Sequence, residues 1–316
     1  MKQSIAAFGA LGLLSSFAIA GTVAVDTTPV ASADGFAQAR RPISNPTLFD
    51  LALPGTNVHP IFIYHNLPDQ ISAGGGKAPL GGDVQVYALQ FEIALNERLS
   101  IVATKDGYVD INPDDTTAVT NQSGFANLGA GLKYAFLLDP VSRTALSGTM
   151  TFELPTGNSN VLQGEGDGAV NLILNGLKLV DDWQFAGSLG FQIPFSDEQS
   201  TMSFVSAHAS YEVCSWFIPL VELNLFHVLD AGNGTGNFPA HAGGAVPAVV
   251  EFEGGDFFNL GAVNSGTNRD FVTAAIGFRS RITDAVNVGF AYEIPLTNEE
   301  DSVMDDRFTL DLIWNF

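Results

Sequence analysis

The chain has 316 residues, 46% of them apolar and 15% charged, and its 34 acidic against 13 basic side chains give a net charge of -21. That balance excludes a nucleic-acid binder, which needs clustered Lys and Arg to neutralise phosphate, and the single cysteine, Cys214, excludes an internal disulfide or a thiolate metal cage. With 24 Phe and a mean hydropathy of +0.19 there is too much apolar surface for a disordered chain.

Lys2 precedes a charge-free stretch from Gln3 to Val25 that contains the small-residue exit Ala18-Ile19-Ala20. This is the layout of a secretory signal peptide over residues 1–20, with Ala31-Ser32-Ala33 offering an alternative cleavage after residue 33. The same uncharged stretch is long enough to serve as an uncleaved anchor. Residues 21–59 carry Arg40-Arg41-Pro42, Asn45-Pro46 and Leu53-Pro54-Gly55. These breaks exclude a long helix and predict an extended periplasmic lead-in, with insertion into the barrel as a plug the alternative that no sequence feature supports.

Beyond residue 60 no apolar run reaches the ~18 residues of a membrane helix, and the pattern is alternation. Tyr87, Leu89, Phe91, Ile93 and Leu95 share one parity against Gln90, Glu92 and Asn96. Trp183, Phe185, Leu189, Phe191 and Ile193 alternate likewise, as do Val286, Val288, Phe290, Tyr292 and Ile294. Such spacing puts the apolar set on one face of a strand. The predicted strands lie near 60–66, 84–96, 99–109, 124–136, 143–154, 168–179, 183–194, 201–213, 216–229, 268–281, 284–295 and 307–316. Most are longer than the usual ~5 or 6 residues and match the ~9 to 11 of a tilted membrane-crossing strand. Short connections, such as Glu97-Arg98 and Cys214-Ser215, alternate with long loops at 67–83, 110–123, 155–167, 195–200, 230–267 and 296–306. Even strand number and one short-turn rim are marks of outer-membrane barrels. The expected fold is therefore all-β, an antiparallel up-and-down barrel of twelve strands over residues 60–316. If the apolar runs Val246 to Phe252 and Phe257 to Val263 also span, the count becomes fourteen.

At the last strand Phe308, Leu310, Leu312, Trp314 and Phe316 fall on one parity, which reads as the signal recognised by the barrel-assembly machinery. Phe152-Glu153-Leu154-Pro155, Phe191-Gln192-Ile193-Pro194 and Tyr292-Glu293-Ile294-Pro295 repeat one pattern where a strand meets a long loop. Pro ends the ladder and the aromatic sits at interface depth. These repeats, Leu154-Pro155-Thr156-Gly157 and the terminal pattern resemble the MetA-pathway of phenol degradation family of barrels. The resemblance covers residues 60–316 and implies outer-membrane passage of small, often aromatic compounds; it brings no site residue with it.

Taking the apolar parity as lipid-facing leaves Glu92, Lys133, Glu153, Gln192, His208, Glu212, Arg279, Arg281, Glu293, Arg307 and Asp311 to line the lumen. They form either a polar pore wall or a filling of ion pairs. Glu222 and Lys105 share parity with apolar neighbours and need a bulge or a rim position. The long loops carry 18 acidic groups against one basic, Lys77, a rim that concentrates cations and suits divalent bridging to lipopolysaccharide. His208-Ala209-Ser210, with Asn224 on the next strand, supplies the base, nucleophile and amide of an acyl hydrolase and is similar to the His-x-Ser of outer-membrane phospholipase A. Tyr211-Glu212 replaces the Asn-Gly of that family, and the parity turns the pair away from lipid. The leading expectation is a non-enzymatic, passive conduit for small aromatic or apolar solutes, seated among outer-membrane lipid, with no cofactor, no metal and no nucleic acid. A closed structural or adhesive barrel comes second and the lipid hydrolase third.

Overall fold

The computed structural model describes residues 35–316, so both signal-peptide cleavage sites and the first part of the lead-in lie outside the described residues. Twelve strands close into one antiparallel ring: β1 (Asn57–Asn66), β4 (Asp83–Ala94), β5 (Leu99–Lys105), β8 (Leu128–Asp139), β9 (Thr144–Leu154), β10 (Ala169–Val180), β11 (Trp183–Pro194), β12 (Thr201–Tyr211), β13 (Ile218–Asp230), β14 (Asp270–Arg281), β15 (Val286–Pro295) and β16 (Asp306–Asn315). The ring closes because β1 pairs with both β4 and β16, in the register Phe62↔Tyr87 and Phe62↔Leu310. Closure leaves no edge unsatisfied, which lipid would not tolerate. A small hairpin, β2 (Gln70–Ala73) with β3 (Gly76–Pro79), stands apart in the first long loop.

Two further strands, β6 (Tyr108–Asn112) and β7 (Gln122–Phe125), prolong the wall. β6 continues β5 past an interruption at Asp106-Gly107 and pairs with the start of β4, while β7 precedes β8 and pairs with β6. Gly107 sits at φ +126°, where a Cβ would come within 2.9 Å of the Tyr87 carbonyl oxygen, so the break is built around a residue without a side chain.

The alternation sorts the side chains as expected. On β16, Phe308, Leu310, Leu312, Trp314 and Phe316 point outward, whereas Arg307, Thr309 and Asp311 are buried in the interior. The outward parity of the other strands is equally apolar, from Tyr87, Leu89, Phe91 and Ile93 on β4 to Val221, Leu223 and Leu225 on β13. A continuous apolar band of this extent belongs in lipid.

Three expectations are corrected. The fourteen-strand alternative fails because residues 231–269 do not cross the membrane. They carry one helical turn, α1 (Val246–Val249), and fold over the lumen, burying Val246, Val250, Phe252, Leu260 and Ala262 against Ile61, Ile63, Val84 and Val86. Second, residues 36–55 are not a periplasmic extension but run through the barrel interior, where Ile43, Phe49, Arg40 and Arg41 are buried. Their polar backbone, extended by the prolines, finds partners on the inner wall. Third, Glu222 needs no bulge: Ile218, Leu220 and Glu222 all face inward, because Ile43 of the inserted segment packs on Leu220 and gives the inward apolar side chain a partner. Lys105, by contrast, does follow a register shift, between Ala103 and Lys105.

Candidate functional site

The lumen is layered, and the inserted segment 36–55 organises its lower two thirds. Near the short-turn rim, the Arg40 backbone N–H donates to Gln184 Oε1 at 2.7 Å and the Gln184 amide donates to the Arg40 carbonyl at 2.6 Å. The Arg40 and Arg281 guanidiniums share the carboxylate of Glu212, at 3.1 and 3.0 Å. One layer further in, Arg41 and Lys133 each contact both Asp50 and Glu92, at 2.6 to 3.1 Å, forming a square of two cations and two carboxylates. Arg279 binds Asp311 through two nitrogens at 3.0 and 2.9 Å, and His59 Nε2 meets the same carboxylate at 2.8 Å.

Glu222 receives the Ile43 and Ser44 N–H groups at 3.0 and 2.7 Å, together with the Ser44 hydroxyl. The third member of the hydrolase constellation is thus not Asn224. His208 Nδ1 lies 2.7 Å from Glu222 Oε1, and Nε2 lies 2.9 Å from Ser210 Oγ. Asn224 donates instead to Ser44, Thr273 and Glu293. The Ser–His–Glu order has hydrolase-like connectivity, but Ser210 is 1% exposed and the carboxylate is committed to the inserted backbone. In this arrangement the trio holds the segment in place.

In the upper layer Lys105 and Glu153 pair at 2.6 Å, and Asn127 and Gln192 donate to Glu153. Arg307 leaves the wall to meet Asp256 of the long loop at 3.0 Å, with Glu293 at 3.6 Å and the Phe257 ring centre 4.2 Å from its Cζ. All eleven side chains expected to line a pore therefore face inward, and all are held in hydrogen bonds or ion pairs rather than arrayed along an open channel. Sequence reasoning missed their partners Arg40, Arg41, Asp50 and Asp256, which come from the lead-in and the loop and have no periodic signal.

Above the ion pairs lies an apolar cavity that the parity rule did not foresee. Ile61 and Ile63 of β1, Val84 and Val86 of β4, and Val109 and Ile111 of β6 line it, with Phe257 and Phe258 from the long loop as a roof. Its wall reaches Ala88, Lys105 and Asp106, where the ladder lapses. β4 pairs with β6 up to Tyr87 and with β5 from Phe91, and in between the Leu89 N–H donates to Asp106 Oδ1 at 2.9 Å. The Gln90 side-chain amide donates to the Thr104 carbonyl across the same gap, so an apolar compartment in the membrane-embedded wall ends at a point where strand pairing is replaced by two side-chain bonds.

The roof is fastened by Glu253. This buried carboxylate accepts the Ser200 hydroxyl at 2.6 Å and the Leu260 and Ala262 N–H groups at 2.7 and 2.8 Å, with no ion-pair partner among the described residues. Burial pushes its carboxyl up to about 7. The nearest charged neighbours, Arg269 and Asp301, share a small cavity with it, and Arg307 is already engaged by Asp256. A raised acid favours the closed roof in its protonated form. That contribution, about 3 kcal/mol for such a displacement, is complete below about 4.5 and lost as pH rises through about 7. Hydrogen exchange at Leu260 and Ala262, corrected for intrinsic rate, should accelerate on the order of a hundredfold between pH 4.5 and 8, and Glu253→Gln should flatten the dependence. Constant protection in the wild type would show that the carboxyl does not fasten the roof.

No protein-family model and no curated protein matches the sequence. Among solved structures, the chain is similar to the COG4313 outer membrane channel from Pseudomonas putida F1, at 15% identity and a TM-score of 0.58, covering 83% of this chain and 96% of that one. It is also similar to the NanC porin, at 7% identity and a TM-score of 0.47 with 83% and 100% covered, and to the KdgM porin, at 9% and 0.43 with 81% and 99% covered. At 15% identity the likeness to the COG4313 channel is one of fold, a closed antiparallel β-barrel of the outer-membrane type.

Proposed function

We propose that the protein admits small, uncharged apolar molecules, aromatic ones among them, through the long-loop end of the barrel and releases them sideways into the membrane at the break beside Asp106. The observation that carries this reading is the apolar cavity of about 80 Å³ lined by Ile61, Ile63, Val84 and Val86 and ending at Ala88 and Asp106, which admits an aromatic ring only as the Phe257-Phe258 roof lifts. A water-filled pore has no use for such a lining, and a straight axial path is filled by residues 36–55 and their ion pairs. An apolar solute gains roughly 25 cal/mol for each Å² of surface it removes from water, which favours its capture from solution and its transfer onward into lipid.

The resemblance to the MetA-pathway of phenol degradation family agrees with this choice of solute, and the fold shared with an outer-membrane channel supports passage through the barrel without bearing on the solute. The reading is completed by delivery through the signal peptide at 1–20, by recognition of Phe308, Leu310, Leu312, Trp314 and Phe316 by the assembly machinery, and by an acidic loop rim set against lipopolysaccharide.

The test is uptake of naphthalene by cells expressing the protein, compared with swelling of liposomes in arabinose. Wild-type protein should speed naphthalene uptake several-fold and leave the liposomes little changed. Ala88→Trp, which fills the cavity at the break, should abolish most of the gain while the barrel still shows heat-dependent gel mobility. Naphthalene uptake unaffected by Ala88→Trp, or rapid arabinose passage through the wild type, would overturn the proposal.

A further inference from the structure

The short-turn mouth of the barrel contains a second cavity, of about 520 Å³, separate from the apolar compartment and not used in the passage proposed above. Its volume falls in the usual range of ~300 to 1,000 Å³ for small-molecule sites. Its walls divide by chemistry. Phe36, Leu51, Leu53 and Ile313 give an apolar side, and Arg40, Arg41, Arg279 and Arg281 give a cationic one, against the carboxylates of Glu92 and Asp284.

The four arginines are not equally committed. Arg41 is balanced by Asp50 and Glu92, and Arg279 is held at two nitrogens by Asp311. Arg40 and Arg281 have one carboxylate between them, Glu212, so this pair keeps a positive charge that no ion pair neutralises. Arg40 Nε is also buried without a hydrogen-bond partner among the described residues, although Arg40 lines the cavity and is 4% exposed. A buried donor left unpaired costs about 1 to 3 kcal/mol; the other two Arg40 nitrogens donate to Glu212 and to the Asp182 carbonyl, and a guanidinium is the group best matched to a carboxylate. Asp284, exposed on the turn after β14, has no ion-pair partner among the described residues and lines the cavity, so its charge opposes an incoming anion.

We propose that this cavity binds a monocarboxylate with an apolar body, its carboxylate on the Arg40–Arg281 pair and its body against Phe36, Leu51 and Ile313. The site does not depend on the lateral passage, and its test uses a different probe and a different readout.

The probe is sodium benzoate, titrated calorimetrically into the refolded full chain in a non-ionic detergent, with ionic strength held by sodium chloride. Benzyl alcohol serves as the uncharged counterpart. Benzoate should give saturable binding and benzyl alcohol none. Arg281→Gln should weaken benzoate by about tenfold, and Asp284→Asn, an exposed change that leaves every ion pair of the lumen intact, should tighten it several-fold. Opposite signs from the two variants are specific to a charge-selective site at this mouth. Absence of saturation by benzoate, equal binding of benzyl alcohol, or an affinity indifferent to Asp284→Asn would overturn the proposal, and the last holds even if Arg281→Gln fails to fold.

Discussion

Deletion of residues 36–55 should turn a nearly silent protein into a conducting one, with single-channel conductance in planar bilayers rising on the order of tenfold or more, because a twelve-stranded wall is wider than the eight-stranded barrel that side chains alone can fill. The wall itself should survive. Its closure rests on β1, which starts at Asn57, pairing with β4 and β16, and the outward band makes no use of the deleted segment. What changes is the interior. Glu92 and Lys133 lose Asp50 and Arg41, Glu222 loses the Ile43 and Ser44 amides, and Gln184 loses both bonds to Arg40. Water would have to replace these partners, and the water-filled bore would then carry current. The long loops hold many more acidic than basic side chains, Lys77 and Arg269 being the basic ones, so the opened channel should prefer cations at low salt. The preference should fade in molar salt, where the screening length shortens to about 3 Å. A deletion variant that inserts, shows heat-dependent gel mobility and still fails to conduct would mean that the side chains and the long loop close the bore without the segment.

The strand pattern was legible because lipid imposes it. Outward positions at membrane depth on β4 (from Tyr87 on), β11, β15 and β16 carry no charge and are mostly large and apolar, and the period of two carries that demand straight into the sequence. The lumen was legible only as far as its charges alternate with that band. Glu92, Lys133, Arg279, Arg307 and Asp311 were readable as inward, but the further partners of Glu92, Lys133 and Arg307 were not, since Asp50 and Arg41 come from a segment without periodicity and Asp256 from a Gly-rich loop. The rule that apolar means lipid-facing also fails wherever the interior is filled. Leu220 packs on the inserted Ile43, and Ile61, Ile63, Val84 and Val86 face an apolar cavity. In β4 the signal was present, since Val84 and Val86 share parity with Gln90 and Glu92 rather than with Tyr87 and Leu89. An apolar side chain on the polar parity marks a place where the barrel holds something other than water.

Replacing Lys133 by Met should cost about 3 to 5 kcal/mol of unfolding free energy, the penalty for leaving a buried carboxylate without its partner. Lys133 is wholly buried and bridges Asp50 at 2.6 Å and Glu92 at 2.9 Å, so its loss leaves two carboxylates to share Arg41. Methionine keeps the length of the side chain, which separates loss of charge from loss of packing. Guanidinium unfolding followed by tryptophan fluorescence reports the change, and the double variant Lys133→Met with Glu92→Gln should recover part of it, because one of the two stranded charges is then gone. A pore wall behaves differently. If water reached these groups, the solvated carboxylates would need no counter-ion, Lys133→Met would cost less than about 1 kcal/mol as exposed pairs do, and the double variant would gain nothing over the single one. The size of the loss therefore decides whether the layer around Lys133 is a dry ion-pair filling that anchors residues 36–55 or the wetted wall of an open bore.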